Sequence, residues 1–305
     1  MDLRPIHPIL LIDLIVDTEE DRAHLEPCLQ ALEQDPASNV AIQRSGDCIA
    51  LAAEDELQLE TVLQQIVRAV PVLFGELRIG YRETIRLAAE AEGKYIRQTG
   101  GPGNYGHCYV RIDPNGRGRG YRFVNEIESG TIPDEYIKPI DDGIRAAMAF
   151  GILAGYPMTD VSATLFGGSY HETDSNEMAF KFAGSIAFKE AARKASPVLL
   201  EPVMAIAIEI PEQLAAAVKE DIRARRGRIE RIDTVGGWSE IVALIPLAEV
   251  LRSSPRGRPE YSMHFAGYEI APRRDDSGDG DIAVPALRPR HPAPRRTSVR
   301  TDRDE

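Results

Sequence analysis

Gly100-Gly101-Pro102-Gly103-Asn104-Tyr105-Gly106-His107 and Gly168-Ser169-Tyr170-His171-Glu172-Thr173-Asp174-Ser175 decide how this chain is read. Each is a Gly-rich or polar turn placed where a strand pattern stops. Residues 94–98 and 108–112 alternate as strands on either side of the first turn. Residues 159–166 form a strand that feeds the second, and Asp174 or Ser175 caps a helix running to about Ala195. That helix is roughly 30 Å long at about 1.5 Å per residue, and Met178, Ala179, Phe182, Ile186 and Ala187 define its buried face. Residues 121–127 add a strand, and Asp141 caps a helix to about Leu153 with Ile144, Met148 and Ile152 on one side. Both turns therefore lie at element ends, where a rigid body presents them side by side.

Outward from this middle unit, the two flanks share one pattern. Residues 8–85 read strand, helix, strand, strand, helix, strand. Thr18 caps the first helix, Asp35-Pro36 ends it, and Ser45-Gly46-Asp47 turns the hairpin. In the second helix Leu59, Val62, Leu63, Ile66, Val67 and Val70 share a face. Pro71 closes it, and residues 73–81 are the last strand. Residues 197–270 repeat the order, with Pro211 opening a helix, Gly227 stopping it and Gly236-Gly237 turning the next hairpin. Two βαβ halves of this kind make a small ferredoxin-like sandwich. From Ala271 onward Pro, Arg, Asp and Gly dominate and apolar periodicity is lost, the composition of a disordered tail.

The chain has 305 residues and a net charge of −12, enough for two or three domains with their own cores. The charge is uneven: residues 1–92 hold 7 Lys/Arg against 18 Asp/Glu, whereas residues 93–196 hold 12 of each. An acidic chain does not bind nucleic acid by bulk charge, so any RNA contact has to be local. Cys28, Cys48 and Cys108 are scattered without CxxC spacing, which argues against a zinc knuckle or disulfide scaffold and suits the cytoplasm. The apolar run at residues 9–16, broken by Asp13, is too short to span a membrane and lacks a signal peptide's cleavage pattern.

Several motifs carry two readings each. Gly101-x-Gly103-x-x-Gly106 matches the dinucleotide fingerprint, but a strand pattern follows where that site needs a helix N-terminus. The glycines then serve a tight hairpin, or a close backbone approach to RNA in which Asn104 donates hydrogen bonds and Tyr105 stacks on bases. His171, Glu172 and Asp174 are too closely spaced for a persuasive metal site; they make a solvated loop with an N-cap, or a loop apex that touches RNA. Arg223, Arg225, Arg226, Arg228 and Arg231 form the one dense basic stretch of the folded part: a solvated face near a helix C-terminus, or a phosphate contact. Lys94, Arg97, Lys181 and Lys189 lie along the middle unit. The other histidines form no constellation, and neither Ser-His-Asp nor Cys-His stands out. No GxxxxGK[ST] occurs in the 305 residues, so nucleotide hydrolysis is not expected of this chain.

The order of motifs from about residue 8 to residue 272 resembles bacterial translation elongation factor G. The resemblance rests on Asp35-Pro36 with Asn39-Val40, Tyr81-Arg82-Glu83-Thr84-Ile85 and Gly93-Lys94-Tyr95. It continues through the first turn, Ile132-Pro133-Asp134-Glu135-Tyr136, Leu153-Ala154-Gly155-Tyr156-Pro157, the second turn and Ala179-Phe180-Lys181, and ends in Pro197-Val198-Leu199-Leu200-Glu201-Pro202 and Arg225-Arg226-Gly227. It implies an α+β fold: two ferredoxin-like βαββαβ sandwiches flanking a ribosomal-protein-like α+β domain with a left-handed βαβ crossover. The expected domains are 1–90 (the family's third), 91–196 (the fourth, the tRNA-mimicking tip), 197–272 (the fifth) and a tail, 273–305. The family's GTPase and second domains are expected to be missing.

The departures from the family's pattern are Gln58 where it has His, a shorter stretch between Leu247 and Arg258, and Ala215-Ala216-Ala217 after Pro211. The implied function is cytoplasmic ribosome binding at the decoding centre or A site, modulating elongation or ribosome availability, without a cofactor. Gly101, Pro102, Gly103, Asn104, Tyr105, Gly106, Ser169, Tyr170, His171, Glu172, Thr173 and Asp174 would contact small-subunit ribosomal RNA. Arg223, Arg225, Arg226 and Arg228 would contact phosphate. The factor-binding region of the large subunit and a separate translational GTPase are further candidate partners. The alternative is a protein- or RNA-binding module that has left the ribosome, with the acidic first unit favouring a basic protein.

Overall fold

The computed structural model describes residues 8–16, 18–35, 37–45, 48–97, 103–252 and 261–272. The hairpin turn at 46–47, Gly101 and Pro102 of the first loop, the 253–260 part of the shortened stretch and the tail from 273 lie outside the described residues. The chain divides into two compact units, with the break between Ile79 and Gly80.

The first unit runs β1 (Leu10–Ile15), α1 (Glu19–Gln34), β2 (Val40–Ser45), β3 (Cys48–Ala53), α2 (Glu56–Ala69), β4 (Leu73–Phe74) and β5 (Arg78–Ile79). Thr18 caps α1 by accepting from the Asp21 N–H at 3.0 Å, and Asp55 caps α2 by accepting from the Gln58 N–H at 2.8 Å. Leu25, Leu29 and Leu32 of α1 and Leu59, Val62, Leu63 and Ile66 of α2 are buried, and Val67 is exposed. The antiparallel order β2-β3-β1-β4 is that of a ferredoxin-like sandwich. The single last strand expected at 73–81 is two short ones. Leu14 pairs with Phe74 but Leu10 with Ile79, a slip of one residue, and the Gly75 N–H donates to the Asp13 carbonyl at the break. This is a bulge.

The second unit opens with β6 (Arg82–Ile85). A four-stranded sheet follows, made of β7 (Ala89–Arg97), β8 (Asn104–Pro114), β9 (Arg122–Asn125) and β10 (Val161–Ser169), with α3 (Ile137–Ala149) and α4 (Glu177–Lys194). The order is β7-β8-β10-β9. Only the β9–β10 pair is parallel, and it is joined through α3 as a βαβ crossover. The α3 helix starts earlier than expected, after a 3-10 turn at Asp134–Tyr136. Asp141 therefore sits inside it, where its carboxylate accepts from the Tyr121 hydroxyl (2.6 Å) and the Arg145 Nε (2.9 Å).

The buried face of α4 also differs from expectation. Ala179 and Ala187 are inside as read, together with Phe180, Ala183, Gly184, Phe188, Ala191 and Ala192, while Met178, Phe182 and Ile186 are exposed. The reason is close packing. A Cβ on Gly93 of β7 would lie 2.0 Å from the Ala183 carbonyl oxygen, and one on Gly143 of α3 2.0 Å from that of Lys181. The helix lowers its small residues onto sheet and neighbour, Phe180 and Phe188 fill the remaining space for roughly 2–3 kcal/mol each, and Phe182 lies outside against Tyr95 (ring centroids 4.8 Å apart).

Glu83 ties β6 to this domain. It is fully buried, and its carboxylate accepts from the N–H groups of Ile152, Leu153, Ala154 and Tyr156 at 2.6–3.1 Å. The segments Tyr81-Arg82-Glu83-Thr84-Ile85 and Leu153-Ala154-Gly155-Tyr156-Pro157 are thus two halves of one arrangement, a carboxylate seated in a concave run of backbone amides.

The remainder repeats the first sandwich. It comprises β11 (Pro197–Pro211), a 3-10 turn, α5 (Ala215–Ala224), β12 (Arg228–Val235), β13 (Trp238–Pro246), α6 (Leu247–Arg252) and β14 (Tyr261–Ile270) in the order β12-β13-β11-β14, with β6 paired to the start of β11. The fold class read from the sequence is therefore the observed one: α+β, with ferredoxin-like sandwiches before and after the crossover domain in the chain. The left-handed residue after α5 is Arg226 (φ 58°) rather than Gly227. Gly227 is needed for contact, since a Cβ there would lie 2.7 Å from the Ile222 carbonyl oxygen.

Candidate nucleic-acid interface

The two sequence loops meet at one end of the crossover domain. Asn104, Tyr105 and Gly106 are the first residues of β8 rather than turn residues, and Tyr105 also bridges in parallel to Ser175. Gly106 faces α4 so closely that a Cβ would lie 2.4 Å from the Ala179 backbone. Strand-to-helix packing, not an approach to RNA, requires this glycine. Gly103 precedes the strand, and its N–H donates to Asp174 Oδ1 at 2.8 Å.

Asp174 is the hinge pin of the arrangement. Its carboxylate holds the Gly103 amide and its carbonyl accepts from the Tyr105 N–H at 2.7 Å. The helix cap expected at Asp174 or Ser175 is Asn176, whose Oδ1 accepts from the Ala179 N–H at 2.9 Å and whose Nδ2 donates to Asn104 Oδ1 at 2.8 Å. Ser175 folds back instead. Its Oγ accepts from the His171 N–H (2.9 Å) and its N–H donates to the His171 carbonyl (3.0 Å), closing the 171–175 turn. The Tyr136 hydroxyl donates to the Ser175 carbonyl at 3.2 Å and braces the turn from below.

Behind the tip, Ser169 Oγ lies 2.7 Å from the Tyr105 hydroxyl and 2.7 Å from His107 Nδ1. His107 is 9 % exposed, and its Nε2 stands 3.0 Å from Glu92 Oε1, too oblique for a hydrogen bond. This chain of polar contacts across β7, β8 and β10 escaped the sequence reading, where His107 stood alone. Alternation along β8 gave no signal for it, because it puts His107 with Tyr109 on the sheet face opposite the buried Cys108, Val110 and Ile112. Cys108 beside it is fully buried, and burial pushes its thiol up to about 12, so it stays protonated.

What reaches solvent is a compact set. The His171 side chain is 58 % exposed, and its ring is tilted over Tyr105 with centroids 6.2 Å apart. His171 Nδ1 lies 3.1 Å from Thr173 Oγ1 and 3.6 Å from Asp174 Oδ2. Tyr170, Glu172 and Thr173 are exposed beside it. The site offers a ring surface, an imidazole and hydroxyls on a braced scaffold, groups that stack on and hydrogen-bond to unpaired bases. Among the described residues no cluster of three metal-ligating side chains occurs.

The arginines read as phosphate contacts lie elsewhere, and each has a carboxylate partner: Arg223 with Glu220, Arg225 with Asp221, Arg228 with Glu230 and Arg231 with Asp233 and Glu240. Arg226 is bidentate on the buried Glu201 (2.7 and 3.0 Å) and also reaches Glu249 (3.2 Å). The Glu201 hydrogen bonds hold its guanidinium above the usual arginine range. This network fixes the left-handed backbone of Arg226 and partly neutralises the basic stretch.

The second unit is thus a βαβ crossover domain with two loops joined at its tip, followed in the chain by a ferredoxin-like sandwich. Residues 77–196 match the family described as elongation factor G, domain IV, and residues 198–277 match the elongation factor G C-terminus. A protein from Thermus thermophilus, known from its crystal structure, is 36% identical. The match covers 88% of this chain and 42% of that one, with a TM-score of 0.67. The chain belongs to the elongation factor G family, and it spans less than half the length of that relative.

Proposed function

We propose that this chain binds the ribosome through the tip of its crossover domain. The tip would enter the A site of the small subunit and meet ribosomal RNA at the decoding centre through Tyr170, His171, Glu172 and Thr173, with Gly103, Asn104 and Tyr105 beside them. The observation that carries this reading is the locking of the two loops by Asp174 and Asn176, which holds the exposed groups in place before any partner arrives. Preorganisation lowers the ordering cost of binding.

Binding alone shifts populations and drives no directional cycle. The chain then blocks, protects or senses a vacant A site in the cytoplasm, or works with a GTPase supplied on another chain, whose docking would also use the factor-binding region of the large subunit. Co-sedimentation with vacant ribosomes and with separate subunits tests the reading. Wild type pellets with the small subunit, and His171→Ala combined with Tyr170→Ala weakens pelleting about tenfold, the scale of removing one base-stacking ring. Unchanged pelleting of that variant sinks the tip assignment.

A second reading draws on the first unit, where Glu19, Glu20, Asp21, Asp55 and Glu56 begin helices and Asp/Glu outnumber Lys/Arg 15 to 5 over residues 1–79. It makes the chain a module for a basic protein partner. A stoichiometric non-ribosomal protein recovered without ribosomal RNA would select it.

A further inference from the structure

Asn115-Gly116-Arg117-Gly118-Arg119-Gly120-Tyr121-Arg122 follows β8 at its far end. β8 has 11 residues, so this loop lies about 35 Å from the tip at about 3.3 Å per residue. It carries three arginines in six positions.

The loop is built, not slack. Asp160, 9 % exposed and itself left-handed (φ 58°), accepts from the Gly118 N–H at 2.9 Å and the Gly120 N–H at 2.8 Å through its two carboxylate oxygens. Its carbonyl accepts from the Asn115 N–H at 2.9 Å, and Asn115 Nδ2 donates to the Gly120 carbonyl at 3.0 Å. Gly118 and Gly120 have φ of 71° and 63°, yet a Cβ on either would meet nothing within 4 Å. Their role is conformational: they turn both amides onto one carboxylate. The arginines alternate with the glycines on this frame.

Arg119 and Arg122 are exposed and make no ion pair among the described residues. The Arg117 side chain, 74 % exposed, has only a 4.0 Å contact with Glu269. In a chain of net charge −12 carboxylates are plentiful, and the basic stretch from Arg223 to Arg231 shows them being used. Here they are not. Guanidinium groups left free on a stiff loop match phosphate oxygens with their planar fork and lose little entropy on binding. The segment from Pro114 to Gly120 holds no large apolar side chain to insert into a bilayer, so phosphates of a nucleic acid fit it better than a membrane surface.

We propose that Arg117, Arg119 and Arg122 form a second RNA contact, to backbone phosphates, at the end of the crossover domain away from the tip. This rests on the ribosome reading for the identity of the RNA but not for the chemistry. Arginine-to-phosphate contacts carry no sequence information. The loop therefore positions the molecule and leaves discrimination to the tip.

The test is fluorescence anisotropy of a fluorescein-labelled RNA hairpin titrated with the full chain over a series of KCl concentrations. Arg117→Ser, Arg119→Ser and Arg122→Ser together raise Kd at least tenfold and flatten the log–log salt dependence by about 2–3, close to one unit for each phosphate no longer neutralised. The corresponding triple lysine variant keeps the charge and loses only part of the affinity. Melting temperatures of both variants stay at the wild-type value, because neither Asp160 nor its amide partners are touched. Equal hairpin affinity of the serine variant and wild type overturns the proposal. So does a wild type that binds phosphatidylserine vesicles but no hairpin at low salt. Co-sedimentation separates the two claims. Arginine-dependent hairpin binding without ribosome pelleting removes the ribosome reading and leaves this contact standing, whereas pelleting with arginine-independent hairpin binding does the reverse.

Discussion

Glu83 shows how much structure a single carboxylate can organise. With no solvent exposure and four backbone N–H partners, Glu83→Ala leaves those four amides without an acceptor. Unsatisfied buried donors cost about 1–3 kcal/mol each before relaxation, so a loss of about 3–5 kcal/mol is expected in urea unfolding of the second unit, with Glu83→Gln losing less. A change within about 1 kcal/mol would mean that the 150–157 loop folds without this carboxylate. Cys108 makes a prediction of a different kind. Alkylation needs the thiolate, and burial has moved this thiol to about 12. Raising pH from 7 to 9 should leave Cys108 unlabelled by iodoacetamide in the native protein while the exposed Cys48 reacts. Peptide mapping after labelling checks this, and modification of native Cys108 at pH 8 would contradict its burial.

At the scale of elements, α4 carries the tip. Its cap Asn176 also bonds to Asn104 of β8, so Asn176→Ala removes a helix cap and a link between the loops together. A loss of about 1–2 kcal/mol is expected, read as a lower denaturant midpoint. Gly106→Ala should cost more, because the added Cβ meets backbone rather than a movable side chain. Equal stability of wild type and Gly106→Ala would refute the close packing of β8 on α4. Most strands and helices were legible in the sequence, since alternation, turn residues and caps such as Thr18 and Asp55 act over a few neighbours. The buried face of α4 was not. Hydrophobic periodicity gives weight to Met178, Phe182 and Ile186, whereas the helix is drawn in by alanines and glycines that let backbones touch. The cap was also ambiguous, because Asp174, Ser175 and Asn176 are three capping residues in a row and only contact with β8 decides which one serves.

At the scale of the whole molecule, the repeated sandwich pattern and the order of family motifs were visible before any coordinates. The pairing of Glu83 with residues 152–156 and of Gly103 with Asp174 was not, because both span about 70 positions and leave no local trace. Among the arginines it holds for Arg226, which reaches back to Glu201 on β11, whereas Arg223, Arg225, Arg228 and Arg231 each find a carboxylate close by in the sequence. With a net charge of −12 the chain has no bulk attraction for RNA, so ribosome binding has to be focused on local contacts. A contact of few phosphates falls off gently with salt, whereas a diffuse one collapses.

The most direct measurement is co-sedimentation of the intact chain with vacant small subunits at low and raised salt, wild type beside His171→Ala/Tyr170→Ala. The expected result is pelleting of wild type that survives moderate salt and weakens about tenfold in the variant, the size of one base-stacking interaction. Wild type left in the supernatant at low salt, or a variant that pellets as well as wild type, would contradict tip-directed ribosome binding.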